Sequence, residues 1–443
     1  MDCVNFNKIK NLLIITSSGG SGHLNAAAAI EANAKQSHNL KIKKVDLLRD
    51  LLVGNFGNLL AKRWDQALKT GALGEQIFLG QITWLADILF AMPIFLKTLI
   101  LLWKYEIDHI VDTQALGTMA IVRAAYMINI TNAFFRKNQP KITVSKIMTD
   151  LPTDKALHFF HSIKKLAKKR QIFELVTTKP LLKDGESEED FWKTHCNLTM
   201  KQIRYANFPL RPAFIRFENS PLMEKPVCLE LKFNSEEEFH LIKVCSGKDQ
   251  LEYSTKNCGK KVIQKNIQEN DHVFSLMLGS QAVVESTLQY VENKIQWVRQ
   301  SGQKDCCYHL FVFCSQHIPG QNTLFKKVCN LVVQTEDFPK NLHVVPLAFQ
   351  DDTELAPILF RSDHIIIRTG GMTVMEVLKV FNGKIFIHSE AKDHTKECTQ
   401  NELLNGIALW EAGNAEYLIK MKNATVVTPW SISKALCQVH PQT

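Results

Sequence analysis

Two stretches of this chain combine glycines with side chains that can bind a ligand or move a proton. The first follows the apolar run LLIIT, where Gly19, Gly20, Ser21 and Gly22 precede His23. A glycine-rich turn exposes backbone N–H groups and lets a ligand approach closely. A free imidazole titrates near pH ~6.5 and therefore accepts a proton at neutral pH. The pattern predicts either a ligand-binding turn with a base or a histidine that only bonds nearby backbone.

The second stretch, DHIIIRTGGMTVMEV at residues 363–377, again places an apolar run before two glycines and a helical segment. Thr373 and Glu376 have capping-box spacing, so one interpretation is that Glu376 only closes the helix start. The other is that its carboxylate accepts hydrogen bonds from the ribose hydroxyls of a nucleotide.

Apolar strand-like runs alternate with helical segments along the chain, which predicts an α/β fold with parallel sheets. In such sheets, ligands bind beyond the carboxyl ends of the strands, where helix N-termini favour anions. We therefore expect two Rossmann-like domains whose glycine turns face an interdomain cleft. The predicted domains are residues 1–210 and 271–443, and residues 211–270 form a linker and a charged, irregular insertion.

The composition is that of a folded protein in a reducing compartment. The 443 residues are 45% hydrophobic and 22% charged, and the eleven cysteines are scattered without a C-x-x-C pair. The start of the sequence has no apolar signal core, so a cytoplasmic location is expected. Part of the net charge of +9 falls at residues 164–170. This stretch is either a solvated helix face or a patch for anionic lipid, and without interleaved aromatics it does not favour nucleic acid.

The segment IFLGQITWLADILFAMPIFLKTLILLW, residues 77–103, is apolar enough to raise the question of a membrane. Asp87 and Lys97 interrupt it, and each would cost roughly 2.5–3.5 kcal/mol at the centre of a spanning helix. The sequence leaves open buried core helices, an amphipathic interfacial segment and, least favoured, a true span.

Taken in order, seven motifs resemble glycosyltransferase family 28 of the GT-B type. They are SSGGSGHLNAA, KIMTDLPTD, NFPLRPAF, LMLGSQA, FVFCSQH, RTGGMTVMEV and CTQNELLN. The nearest likeness is to diacylglycerol glucosyltransferases and monogalactosyldiacylglycerol synthases, with a more distant likeness to the peptidoglycan N-acetylglucosaminyltransferase. NFPLRPAF, at the expected interdomain junction, is the most specific short match.

The resemblance implies an inverting hexosyltransferase that needs neither a metal nor a cofactor and that uses a UDP-sugar held mainly by the second domain. The donor-binding residues it implies are Arg211, Gly279, Ser280, Gln281, Thr369, Gly370, Gly371, Met372, Thr373, Glu376, Gln400, Asn401 and Glu402. Gly370 to Thr373 and Ser280 to Gln281 would hold the diphosphate, Arg211 would approach it, Glu376 would hold the ribose, and Gln400 would read the sugar.

On the acceptor side, the resemblance implies a loop next to the catalytic base. The implied loop residues are Gly19, Gly20, Ser21, Gly22 and Asn25. His23 would take the proton of the acceptor hydroxyl, and Asp150 is a rival base. Residues 77–103 match the membrane-associating region of the family, so the expected acceptor is a diacylglycerol-like lipid. The expected location is then peripheral, at an anionic cytoplasmic membrane surface contacted through residues 77–103 and 164–170.

Three departures from the family pattern keep other functions open. Ser18 replaces an acid, Arg368-Thr369 replaces Lys-Pro, and Cys398-Thr399 replaces Pro-Gly. The alternatives are the same donor chemistry on a protein or soluble acceptor, or a nucleotide-binding GT-B protein without turnover.

Overall fold

The apolar runs of the first half form one six-stranded parallel sheet. Its strands are β1 (Asn11–Thr16), β2 (Lys41–Asp46), β3 (His109–Asp112), β4 (Thr143–Ile147), β5 (Phe173–Thr177) and β6 (Ile203–Tyr205). Their order in the sheet is β2-β1-β3-β4-β5-β6. Leu12 to Ile15 of β1 are wholly buried, as expected where helices cover both faces of a parallel sheet.

The second half forms a sheet of the same kind. Its strands are β10 (His272–Met277), β11 (Tyr308–Phe313), β12 (Leu342–Leu347), β13 (His364–Ile367), β14 (Lys384–His388) and β15 (Thr425–Val427), in the order β12-β11-β10-β13-β14-β15. Two Rossmann-like sheets confirm the predicted GT-B fold class. The sequence pattern does not reveal β15, because a three-residue edge strand is too short to show a periodicity.

Helices connect these strands. In the first half they are α1 (Ser21–Ala34), α2 (Phe56–Lys69), α3 (Leu73–Gln81), α4 (Thr83–Leu89), α5 (Ala91–Lys104), α6 (Thr118–Phe135), α7 (Leu157–Lys164) and α8 (Glu188–Cys196). In the second half they are α11 (Val284–Ser301), α12 (Leu324–Gln334), α13 (Asp352–Arg361), α14 (Gly371–Val380), α15 (Gln400–Leu404), α16 (Leu409–Lys422) and α17 (Ile432–Val439). The computed structural model describes residues 4, 6, 9–18, 21–36, 40–52, 56–81, 83–135, 140–155, 157–164, 166, 172–216, 228–246, 251–255, 261–301, 306–391 and 398–439.

The region between the two sheets is more regular than the sequence suggests. A short helix, α9 (Pro212–Ile215), starts at the second proline of PLRPAF. It is followed by β7 (Cys228–Lys232), α10 (Glu236–Ser246), β8 (Leu251–Thr255) and β9 (Lys261–Asn266), whose strands pair antiparallel in the order β7-β9-β8. The expectation of an irregular insertion is therefore wrong, whereas the domain boundaries at residues 210 and 270 stay predictions.

The strand order fixes where ligands can enter each sheet. In the first sheet β2 and β3 flank β1, and in the second β11 and β13 flank β10, so the chain reverses its direction of winding at β1/β3 and β10/β13. Ligands of open α/β sheets bind in the crevice at this switch point. The loops after β1, β3, β10 and β13 are thus the expected walls of a site.

The segment after β4 docks the first domain onto the second. The side-chain oxygen of Asn414 accepts a hydrogen bond from the Leu151 N–H at 3.0 Å, and Lys155 pairs with Glu416. Gly413 lies so close to Thr153 that an added Cβ would stand 2.0 Å from its hydroxyl oxygen. The two domains are therefore in close contact beside the cleft.

The apolar segment at residues 77–103 is divided into the three helices α3, α4 and α5. Within the described part of the chain, none of the helices combines the length and the apolarity needed to cross a bilayer. One side of α5 packs inward through Ile94, Thr98 and Leu102. The opposite side leaves large apolar side chains exposed, among them Ile100 at 63% and Trp103 at 67%. One side of α5 thus belongs to the core, and the other side is exposed apolar surface.

Candidate active site

A cavity of about 430 Å³ lies between the two sheets, at the edge where both switch points open. Its polar wall is built by the segments that follow β1, β3, β4, β10 and β13, together with one residue of α16. Described residues of this wall are Ser17, Gly22, His23, Asn25, Gln114, Thr149, Asp150, Gly279, Ser280, Gln281, Arg368, Gly370, Gly371, Met372, Thr373 and Glu411. The size suits a small-molecule site.

His23 stands in the first turn of α1 with its tautomer set by the backbone. Its Nδ1 lies 2.7 Å from the carbonyl oxygen of Thr113 and 3.1 Å from the hydroxyl of Thr149. A carbonyl oxygen only accepts, so Nδ1 carries the hydrogen and the lone pair of the neutral ring is on Nε2. The arrangement provides a proton acceptor on the cavity wall.

Asp150 connects the first domain to the glycine turn of the second. Its Oδ1 accepts hydrogen bonds from the Gly371 N–H and from the side-chain amide of Asn414, both at 3.0 Å. The carboxylate therefore occupies the N-terminus of α14, where the partial positive charge of a helix favours an anion. Thr149 and Asp150, neighbours in sequence, thus bring the two glycine turns to one cavity.

The turn before α14 is shaped by close packing. Gly370 is the N-terminal cap of α14, and a Cβ at Gly371 would lie 2.0 Å from the carbonyl oxygen of Thr149. Thr369 is buried, and its hydroxyl donates to the carbonyl of Glu411 at 3.1 Å. Since Gly370 is the cap, the capping-box interpretation of Thr373 and Glu376 is wrong.

Arg368 supplies the positive charge of the polar wall. Its guanidinium donates to Glu411 and to the side chain of Gln76 in the first domain, each at 3.2 Å. In the sequence, Arg368 stands out only as a departure from a family pattern. Its position directly after β13 and before two glycines is the signal that identifies it as a site residue.

The loop after β10 brings Gly279, Ser280 and Gln281 to the cavity, as expected for the donor side. Gly279 has φ +91°, a left-handed conformation that glycine adopts without strain. This conformation turns the chain sharply after β10. The two residues that follow therefore face the cavity.

Arg211 and Glu376 are paired with each other instead of lining the cavity. The guanidinium donates from Nε to Oε1 at 2.7 Å and from a terminal nitrogen to Oε2 at 2.9 Å. Burial raises the pKa of Glu376, and the hydrogen bonds from Arg211 oppose that rise. The bidentate geometry is that of an ionised pair. In this structure the pair ties the linker to α14, and neither residue contributes to the cavity wall.

The residues expected to read the sugar are not among the described residues that line the cavity. The side-chain amide of Gln400 bonds both the N–H and the carbonyl of Val426, which extends the edge of β15. Glu402 forms a capping box with Thr399 at the start of α15. Asn401 is exposed. The contacts of Gln400 and Glu402 thus stabilise the edge of β15 and the start of α15.

A buried polar network supports the loop after β3. Lys146 and Asp112 are fully buried and lie 3.0 Å apart, and the Thr118 hydroxyl bonds the same carboxylate oxygen at 2.7 Å. Burial lowers the pKa of Lys146, and the Asp112 carboxylate opposes this change. Lys146 also donates to the carbonyl of Gln114. The network thereby holds the Gln114 loop against the cavity.

The cavity also has an apolar part that the sequence does not predict. Among the described residues at positions 48–90, those that line it are Leu48, Leu60, Ala61, Trp64, Leu68, Leu79, Gly80, Leu85, Ala86, Leu89 and Phe90. Trp410 of α16 completes this part from the second domain. No sequence signal could have shown it, because these residues come together only when α2, α3, α4 and α16 pack.

Some predicted residues fall outside the described part of the chain. Gly19 and Gly20 of the first turn do so, and Ser21 is described only as the first residue of α1. Of the basic residues at 164–170, only Lys164 is described. Among the described residues, no group of three or more metal-ligating side chains could hold a metal ion.

The chain matches no protein-family model, and no curated protein matches it. It is similar to several solved structures. MurG of Acinetobacter baumannii is 12% identical, with a TM-score of 0.44 and coverage of 97% of this chain and 90% of that one. The spinosyn rhamnosyltransferase SpnG complexed with thymidine diphosphate is 10% identical, with a TM-score of 0.44. The match covers 96% of this chain and 88% of that one. The UDP-GlcNAc 2-epimerase of Neisseria meningitidis, bound to UDP-GlcNAc, is 10% identical, with a TM-score of 0.41. The match covers 98% of this chain and 100% of that one.

Proposed function

We propose that this chain is a GT-B glycosyltransferase related to family 28, which transfers a hexose from a UDP-sugar to the hydroxyl of a diacylglycerol-like lipid. One observation carries the proposal. The first-domain histidine and the N-terminus of α14 share one interdomain cavity, because Thr149 contacts His23 and Asp150 contacts Gly371. A general base and a group that stabilises the leaving diphosphate both accelerate sugar transfer from a nucleoside diphosphate, and a helix N-terminus is one such group.

In the proposed reaction, Nε2 of His23 removes the proton of the acceptor hydroxyl. The resulting oxygen nucleophile attacks the anomeric carbon, and the bond from that carbon to the β-phosphate oxygen breaks. The electron pair leaves with UDP, so a single displacement inverts the anomeric configuration. The hydrogen bond from Nδ1 to the Thr113 carbonyl orients the ring and stabilises the imidazolium that forms.

Charge on the leaving UDP would be stabilised without a metal. The cavity offers the positively charged guanidinium of Arg368 and the backbone N–H groups at the start of α14. Preorganised donors in a water-poor site stabilise developing charge strongly. Asp150 now accepts the Gly371 N–H, so the diphosphate would have to displace this carboxylate from the helix end.

The exposed apolar surface of α4, α5 and α6 supports a lipid acceptor. On α6, Met127, Ile130 and Phe134 follow one helical face, and Phe134 is 75% exposed. Arg123 lies on the same face by its spacing and is exposed. An apolar surface of this extent with a cation suits a peripheral position on an anionic cytoplasmic membrane.

The test is an incubation of the purified protein with labelled UDP-sugars and with liposomes that contain diacylglycerol and anionic phospholipid. We expect labelled glycolipid to form, and EDTA to leave its rate unchanged. UDP-sugars should also raise the melting temperature, because a ligand that binds the folded state stabilises it. The proposal fails if every UDP-sugar leaves the melting temperature unchanged and no label enters lipid. Label on a soluble or protein acceptor in place of lipid would select the same donor chemistry with another acceptor.

A second candidate function is a protein that binds a nucleotide without turnover. It is favoured by the engagement of Asp150 at the α14 N-terminus and of Glu376 with Arg211. Under this alternative, UDP raises the melting temperature but neither transfer nor hydrolysis of any UDP-sugar occurs.

A further inference from the structure

The interdomain cavity is polar at one end and apolar at the other. We call its apolar part the apolar arm and define it by Leu60, Trp64, Leu68, Leu79, Ala86 and Phe90. All six come from the first-domain helices α2 to α4 and the residue that follows α4. The arm belongs to the same cavity as His23, so a molecule that fills both ends carries a polar head beside the imidazole and an apolar tail in the arm.

The arm opens onto the exposed apolar surface of the helices. Leu85 and Leu89 line the cavity, and they are also 41% and 62% exposed. They lie one helical turn apart on α4, so they form one edge of a mouth. Ile88 and Met92, both more than half exposed, stand beside them. An apolar chain can therefore pass from this surface into the arm without crossing a polar barrier.

The second domain closes the arm with an aromatic side chain. The indole rings of Trp410 and Trp64 lie 5.3 Å apart between centroids. Gly80 permits this contact, because a Cβ there would lie 2.5 Å from the Trp410 ring. The next residue, Glu411, forms the ion pair with Arg368 at the polar end. Adjacent residues of α16 thus reach the apolar arm and the charged wall.

We propose that the apolar arm binds one alkyl chain of the acceptor and so places the acceptor hydroxyl beside His23. Apolar cavities exclude water and take up hydrocarbon, and each buried methylene stabilises binding by about fourfold. The inference rests on the proposed transferase function and deepens it, since it identifies where the acceptor tail lies and which residues select it. Trp64 and Trp410 are then specificity-determining residues.

The test uses binding alone, so that it does not depend on catalysis. The probe is a dodecyl maltoside with a dibrominated chain, kept below its micelle concentration, because bromine quenches nearby indole fluorescence. We expect saturable quenching in the wild type. The double variant Trp64→Phe/Trp410→Phe should lose most of the saturable part, whereas Trp430→Phe should keep it, because Trp430 is about half exposed and lies outside the cavity lining.

Blocking the arm provides the matched comparison. Ala86→Phe fills the arm near its mouth, whereas Ala91→Phe makes the same change on α5 at a residue outside the cavity lining. We expect Ala86→Phe to weaken probe binding at least tenfold and Ala91→Phe to change it less than twofold. In the wild type, affinity should rise from octyl to decyl to dodecyl maltoside. Circular dichroism melting verifies that each variant folds.

The two proposals fail in different ways. Equal quenching in Ala86→Phe and wild type, or quenching that never saturates, overturns the alkyl-chain site even if glycolipid is made. Saturable quenching that Ala86→Phe abolishes, in a protein that transfers no sugar, leaves the alkyl-chain site standing and removes the transferase function.

Discussion

The two glycine turns look alike in sequence, but in the structure they present different groups to the cavity. Both follow a buried strand and open a helix, α1 in the first domain and α14 in the second. The α1 turn presents His23, whose ring is oriented by the Thr113 carbonyl. The α14 turn presents backbone N–H groups, follows the cation Arg368 and already contacts a carboxylate. Under the proposed function, the glycines give a ligand access at both turns, and the neighbouring side chains decide whether the turn serves proton transfer or anion binding.

The largest expected effect distinguishes the two candidate bases, His23 and Asp150, which both belong to the first domain. His23→Ala should lower the transfer rate by about 10²–10⁴-fold, because it removes general base catalysis, while the affinity for UDP stays unchanged. Asp150→Asn should instead increase the affinity for UDP, since the carboxylate no longer competes with the diphosphate at Gly371. Single-turnover rates and UDP titrations measure both. If Asp150→Asn abolishes transfer and His23→Ala does not, the roles are exchanged.

The second prediction compares the two arginines linked to the α14 turn. Arg211→Met should lower the free energy of unfolding by about 3–5 kcal/mol, because it leaves Glu376 buried without its partner. The double variant Arg211→Met/Glu376→Leu should recover most of this loss. Arg368→Met leaves Glu411 without its partner and should also lower the free energy of unfolding, but in addition it should weaken UDP binding by about tenfold. Chemical denaturation and UDP titration separate the two outcomes. A loss of UDP affinity in the Arg211/Glu376 double variant would instead place that pair in the donor site.

The third prediction compares the space that each glycine turn leaves for an added side chain. At Gly371 an added Cβ would meet the Thr149 carbonyl at 2.0 Å, whereas at Gly22 it would only touch Met372 at 3.6 Å. Gly371→Ala should therefore displace the domains and slow transfer by about 10²-fold. Gly22→Ala should change the rate by less than about threefold. Small-angle scattering would detect the displacement, and equal rates in both variants would contradict the close contact.

The smallest expected effect concerns acid stability in the two domains. Burial lowers the pKa of His109 in the first domain, and of His309 in the second, to about 4. The unfolded chain binds a proton near pH ~6.5, so stability falls as pH falls from there towards 4. Each histidine accounts for about 2 kcal/mol of that loss at pH ~5. His109→Gln should flatten the pH dependence of the first-domain transition only, as measured by thermal unfolding between pH ~7 and ~5.

The α/β class could be predicted from sequence because several buried strands, among them β1 and β13, contain continuous apolar runs. The runs LLIIT and DHIIIRT, with the glycines and helices after them, predict a strand, a turn and a helix without further information. The prediction for Gln400 rested on motif resemblance alone, and that for Glu376 rested on its place after a glycine turn and on the resemblance. In the structure their polar groups bond Val426 and Arg211, and local sequence does not reveal such distant partners.

The sequence by itself therefore determined the two parallel sheets, the two glycine turns and the presence of His23 beside one of them. These features follow from local propensity and hydrophobic pattern, which act over a few residues. Only the tertiary structure decided that Asp150 reaches Gly371, that Arg211 pairs with Glu376 and that Trp410 closes an apolar arm against Trp64. Each of these contacts joins residues more than a hundred positions apart, so it depends on how distant segments of the chain pack together.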